Sequence, residues 1–156
     1  MLLWLIRHGE CELTATSDAE RRLTAEGRAD VAKVAARVQA ARRPAPELVF
    51  TSPLQRARQS AEIFNAYWGR ELRVAEFLQP HVEPSKVLAA LRPQGERDVA
   101  LFGHMPNLGL LLAALIWGLP PREAVVPRGA AALLDLSEWE PGRARLLEFF
   151  KPEEIP

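Results

Sequence analysis

Five apolar residues, Leu2 to Ile6, run straight into Arg7-His8-Gly9-Glu10. A bounded apolar run this short suits a central strand covered on both faces, since a strand with one wet face would alternate polar and apolar side chains. Gly9 lets the backbone turn sharply or come close to a ligand. The chain therefore needs a sheet with material packed on both sides, and it leaves a cation and an imidazole at the carboxyl end of that first strand. Alone, the triplet reads as a surface turn with two incidental basic residues, so the rest of the chain has to decide.

Downstream, apolar runs alternate with helical patterns. Glu10 to Leu23 lacks periodicity and reads as an ordered loop. Leu23-Thr24 then opens a helix on which Val31, Val34, Ala35 and Val38 fall at i, i+3, i+4 and i+7. Pro44-Ala45-Pro46 ends it, and Leu48 to Thr51 forms a second strand. In Ser52-Pro53-Leu54-Gln55, Ser is placed to cap, Pro to take the first helical position and Gln to close a capping box. Leu54, Ala57, Ala61, Phe64 and Trp68 give the buried stripe of that helix, and Gly69 stops it. A third strand lies within Glu71 to Leu78, a short helix spans Pro84 to Leu91, and Asp98 to Phe102 is a fourth strand. Gly103-His104-Met105-Pro106 follows, with Pro106 opening a Leu-rich helix through Trp117 that Pro120 and Pro121 break. Ala130 to Leu136 and Arg145 to Phe150 read as a late hairpin at the far side of the sheet. The expected fold class is α/β, a mostly parallel sheet with helices on both faces.

At 156 residues, 48% of them hydrophobic, the whole chain 1–156 is the size of one domain with a substantial core. Twenty basic and twenty acidic residues cancel, which argues against a nucleic acid or an anionic membrane as partner. No run is long enough for a membrane span, and no basic stretch precedes the first apolar run as in a signal peptide. Cys11 is the sole cysteine, which fits a reducing compartment, and the expected localisation is the cytoplasm.

In open α/β sheets, ligands bind outside the carboxyl ends of the strands. Here the first strand ends in Arg7-His8-Gly9, the second feeds a helix whose first turn carries Arg56, and the fourth ends in Gly103-His104. Helix N-termini attract anions and disfavour cations, so Arg56 breaks a local preference, and such breaks tend to mark function. Two arginines, two histidines and two helix starts at one spot describe a site for a compact anion with several oxygens, phosphate above all. Arg28 and Arg58 read as solvated helix charges and His81 as a loop histidine. No Gly-Lys-Ser/Thr loop or His-Glu-x-x-His motif occurs, and Cys11 lacks the arginine that a cysteine phosphatase needs shortly after its nucleophile. The site is expected to work without metal or other cofactor.

Arg7-His8-Gly9-Glu10, Ser52-Pro53-Leu54-Gln55-Arg56-Ala57 and Gly103-His104 resemble the three signature segments of the histidine phosphatase superfamily, whose fold is the three-layer α/β/α sandwich called phosphoglycerate mutase-like. The short length, Ser17-Asp18 through Arg21 to Leu23-Thr24 and Gly27, and His104-Met105-Pro106 resemble its SixA-type phosphohistidine phosphatases. The resemblance implies that His8 is the nucleophile and that Arg7, Arg56 and His104 hold the phosphoryl oxygens. Imidazole is nucleophilic when neutral, and nearby positive charge would keep it so.

Many members carry a glutamate just after the third strand as proton donor, where Phe77 aligns here. Glu76 and Glu83 are the carboxylates close by, and the acid stays unassigned between them. A missing acid hurts a phosphomonoester most, because an alkoxide leaves poorly without a proton. This favours phosphohistidine on a phosphorelay or phosphotransfer protein as the substrate. The alternatives are a small-molecule phosphomonoesterase and a phosphate-binding regulatory module without turnover; a mutase fits less well. Cys11 either tunes the site by oxidation or is a small residue without a role.

Overall fold

The computed structural model describes residues 1–119 and 122–156. Pro120 and Pro121, the expected break after the Leu-rich helix, lie outside the described residues. The elements follow in the order β1 (Leu2–Arg7), α1 (Ala25–Ala40), β2 (Leu48–Thr51), α2 (Gln55–Trp68), β3 (Leu72–Val74), α3 (Pro84–Leu91), β4 (Val99–Gly103), α4 (Asn107–Trp117), β5 (Ala131–Leu136) and β6 (Ala144–Phe150). The strands form one sheet in the order β3-β2-β4-β1-β5-β6. β3, β2, β4 and β1 run parallel, while β5 lies antiparallel to β1 and β6 antiparallel to β5.

β1 behaves as its composition demands. Leu3 and Leu5 pack with α3 and α4 through Val87, Leu88, Leu91, Leu108 and Leu111. The intervening Trp4 and Ile6 pack on the opposite face with Val31 and Val34 of α1 and Phe64 of α2. All four β1 residues are at most 1% exposed. A continuous apolar run is what a strand with helices on both sides requires, and each side chain so buried contributes about 1.5–3 kcal/mol. Two helices on each face make the three-layer α/β/α sandwich.

The third strand lies within Glu71 to Leu78 as expected, and it is short. Only Leu72–Val74 pair with β2, and the chain then tightens into a 3-10 turn at Glu76–Leu78. β3 is the edge strand and is mostly exposed, so few side chains hold it in the sheet. The start of α2 differs from expectation. The helix begins at Gln55 with Leu54 in the cap position, and no side chain caps it. Ser52, expected as the cap, accepts from the Leu54 N–H at 3.2 Å, ahead of the first helical residue.

The topology sets the position of the site. Arg7 pairs with Gly103 and Thr51 with Phe102, so β1, β4 and β2 end level with one another. The chain leaves β1 and β2 towards the face that α1 and α2 cover, and leaves β4 towards the face of α3 and α4. Connections departing in opposite directions open a crevice between neighbouring strand ends. Among the described residues, no helix is long and apolar enough to cross a membrane.

Candidate active site

The crevice at those level strand ends is a cavity of about 360 Å³, walled by Arg7, His8, Arg56 and His104 together with residues of four loops. His8 follows the Arg7–Gly103 pair on β1 and His104 follows it on β4. Their rings lie 5.0 Å apart between centroids, and both are buried. The four residues expected from the sequence are thus brought together. Glu76 and Glu83 are not: both are exposed, neither is part of the cavity wall, and Glu76 is hydrogen-bonded by Gln79. The 3-10 turn carries Glu76 away from the strand ends, and Glu83 sits at the cap of α3. Phe77 turns its ring to Phe50, 5.7 Å between centroids, and joins the core.

Each imidazole is fixed by one hydrogen bond. His8 Nδ1 lies 2.7 Å from the carbonyl oxygen of Gly9. A carbonyl only accepts, so Nδ1 carries the proton and Nε2 keeps its lone pair. Burial pushes the His8 imidazole down to about 4; the Gly9 bond opposes this, and the charges of Arg56, Arg7 and Arg21 add to it. The ring is therefore neutral at pH 7. Positive neighbours were the cause expected from the sequence, but burial is the larger one. His104 is pushed down to about 3, first by burial, then by His8 and Arg56, with Asp18 opposing. His104 Nε2 lies 2.7 Å from Ser52 Oγ, and its Nδ1 is buried with no partner. The same serine hydroxyl accepts from the Leu54 N–H ahead of α2 and aligns the second histidine.

The loops that hold this floor depend on close backbone approach. A Cβ on Gly9 would lie 2.7 Å from the carbonyl oxygen of Gly27, and one on Gly27 would lie 2.0 Å from that of Glu10. Both are closer than Cβ atoms tolerate, so glycine at both positions lets the turn after β1 rest on the first turn of α1. Thr24 caps α1 by accepting from the Gly27 N–H at 3.0 Å and donates to Glu10 Oε1 at 3.0 Å. From α2, Ser60 Oγ accepts from the Gly9 N–H at 3.2 Å and donates to the Arg56 carbonyl at 2.8 Å. On the other side, Arg7 Nη1 donates to the Val126 carbonyl at 3.1 Å, and the Gly129 N–H donates to the His8 carbonyl at 2.9 Å.

The rim contains residues that sequence reasoning did not place. Asp18, in a 3-10 turn, accepts from Arg21 Nη1 at 2.9 Å and from Arg56 Nη2 at 3.2 Å, and its carbonyl accepts from Arg56 Nη1 at 2.8 Å. The bond from Arg21, then the charge of Arg56, holds the Asp18 carboxyl below its usual range against the cost of burial. Arg21 Nη2 also reaches Cys11 Sγ at 3.3 Å. Arg128, Met105, Pro80 and His81 complete the wall. Asp18, Arg21 and Met105 fall within the segments that resemble SixA-type phosphatases, but an aperiodic loop does not reveal which way it folds, and no role followed from the sequence. Arg28 and Arg58 are exposed and lie outside the wall, as expected. Among the described residues, no group of three or more His, Cys, Asp or Glu is placed to hold a metal ion.

Four guanidinium groups, one carboxylate and three imidazoles, two of them buried and neutral, give a strongly anion-attracting recess with a free imidazole lone pair at its floor. Residues 3–80 match the histidine phosphatase superfamily (branch 1). The phosphohistidine phosphatase SixA of Escherichia coli K12 is 30% identical over 144 residues, covering 88% of each chain. The solved structure of the protein histidine phosphatase SixA complexed with tungstate superposes with a TM-score of 0.86 at 28% identity, covering 99% of each chain. A SixA structure from Agrobacterium tumefaciens gives a TM-score of 0.79 at 26% identity over 97% of each chain.

Proposed function

This chain belongs to the histidine phosphatase superfamily, a phosphatase class that works without metal, and from that premise we propose that it removes the phosphoryl group from phosphohistidine on a phosphorelay or phosphotransfer protein. The observation that carries this reading is the His8 ring, neutral, buried and held by Gly9 so that Nε2 is the nucleophilic nitrogen. Nε2 attacks phosphorus in line, and the bond to the leaving nitrogen breaks with its electron pair. Arg7 and Arg56 balance charge on the phosphoryl oxygens, with His104 as a hydrogen-bonding partner to them. Water then attacks the phosphohistidine on His8, and the electrons of the P–N bond return to Nε2.

Two features favour a phosphoramidate over a phosphomonoester. Among the described residues, no glutamate or protonated carboxyl group is part of the cavity wall, and an imidazole leaves far more easily than an alkoxide. SixA of E. coli, the relative at 30% identity, is a phosphohistidine phosphatase. A cytoplasmic partner suits the free thiol of Cys11.

The test offers a phosphohistidine protein and a panel of phosphate monoesters to the purified chain under one set of metal-free conditions. Faster turnover of the protein substrate is the expected result. Faster turnover of monoesters would favour the small-molecule phosphatase. His8→Ala should form no acid-labile phosphoenzyme; persistent labelling would move the nucleophile elsewhere.

A further inference from the structure

We propose that His81, on the loop between β3 and α3, gives the leaving group its proton and takes one from the attacking water in the second step. The inference rests on His8 being the nucleophile, and it assigns a role that the sequence left open between two glutamates. His81 is exposed and is part of the cavity wall, at the border between the recess and solvent. Its backbone is not loose. The Asn107 N–H donates to the Pro80 carbonyl at 3.0 Å, and Asn107 Nδ2 donates to the Val82 carbonyl at 2.6 Å. One fully buried residue in the first turn of α4 therefore grips the chain on both sides of His81. The same turn follows His104, whose carbonyl accepts from the Leu108 N–H at 2.8 Å. The phosphoryl-holding histidine and His81 are thus set by one helix start.

Every other group facing the cavity is unsuited to the task. From the β1 end, Arg7 holds its proton too tightly, and His8 is the nucleophile with its one N–H on Gly9. The loop after β1 supplies Arg21, Asp18, which is ionised between two arginines, and Cys11, which is buried with an Arg21 N–H on its sulfur. Arg56 of α2 and Arg128 before β5 are guanidinium groups. His104 is buried against Ser52. Imidazole is the side chain that both gives and takes protons near neutral pH.

The step balances. His8 Nε2 bonds to phosphorus as the P–O or P–N bond of the substrate breaks, and the imidazolium of His81 transfers its proton to the departing atom. Neutral His81 then accepts a proton from the water that attacks phosphorus, the P–N bond to His8 breaks, and both residues return to their starting states. A leaving phenolate or alkoxide depends on that proton, whereas an imidazole whose distal nitrogen already carries a proton departs as a neutral ring and depends on it less.

The experiment compares the wild-type chain with His81→Gln on aryl phosphates of rising leaving-group basicity and on N-phosphorylimidazole. The loss in kcat/KM should be near unity for N-phosphorylimidazole and nitrophenyl phosphate and should grow to roughly 10²-fold for phenyl phosphate. The alkaline limb of the wild-type phenyl phosphate profile should vanish in the variant. An equal loss on every substrate, or none, overturns the role of His81 while leaving the phosphatase reading intact. A wild-type chain that turns over a phosphohistidine protein but none of these compounds would overturn the role of His81 alone, and no turnover of that protein either would overturn both.

Discussion

The floor of the cavity and its rim are built in different ways. The floor is buried and fixed from several directions: His8 by Gly9 and Gly129, Gly9 in turn by Ser60, and His104 by Ser52. The rim is made of loops: Asp18 sits between Arg21 and Arg56 at the surface, and the backbone on either side of His81 is held by Asn107. Phosphoryl transfer needs charges and a lone pair that do not reorganise during reaction, and a packed floor supplies that. Whatever carries the phosphoryl group has to enter and leave, and exposed loops are suited to it. Arg56 belongs to both regions, since its side chain is buried while it is held by an exposed aspartate.

Removing that shared residue tests the division most severely. Arg56→Ala should lower kcat by about 10²- to 10³-fold, the range for losing one preorganised charge donor. Its stability should change far less, because the carbonyl of residue 56 still accepts from Ser60. A collapse in urea midpoint comparable to a core truncation would mean that the rim holds the floor together, and the two would not be separable.

The floor should also reveal itself through pH. Both buried imidazoles have folded values, about 4 and about 3, below the ordinary 6.5 of the unfolded chain. Above pH 6.5 neither state binds the extra proton, so this contribution is absent. As pH falls from there to about 4, the unfolded chain takes protons that the folded one refuses, and stability drops on the order of 2 kcal/mol per histidine by pH 5. Urea unfolding at pH 7.5 and pH 5 measures it. His8→Asn should remove about half of the difference; an unchanged slope would mean that the floor is not dry.

The same division explains what could be read from the sequence. β1, β2, β4 and the helix stripes carry their burial in their periodicity, so the sheet, its layers and the positions of Arg7, His8, Arg56 and His104 were legible. Ser52 was misread because a cap and a histidine partner look identical in a Ser-Pro sequence; the hydroxyl bonds to His104 and α2 starts at Gln55. Glu76 and Glu83 were near the site in sequence, but a 3-10 turn carries the chain past the strand end before either could enter. Asp18, Arg21 and His81 reach the cavity through loops whose paths are set by distant partners such as Asn107, and no local pattern encodes those.

Asp18 offers the finest test, because its carboxylate occupies Arg56 where a phosphoryl oxygen would be drawn. Its side chain is 61% exposed, so water screens much of its charge and the effect should be small. In Asp18→Asn the carbonyl of residue 18 still accepts from Arg56, so the guanidinium keeps one of its two supports while the competing charge is gone. Inorganic phosphate should then inhibit about two- to fivefold more strongly and KM should fall, with kcat nearly unchanged, as expected for a change of under about 1 kcal/mol at an exposed ion pair. Weaker phosphate inhibition with a lower kcat would give the opposite lesson. Asp18 would then hold Arg56 in its working position, and the exposed rim would be part of the preorganised floor.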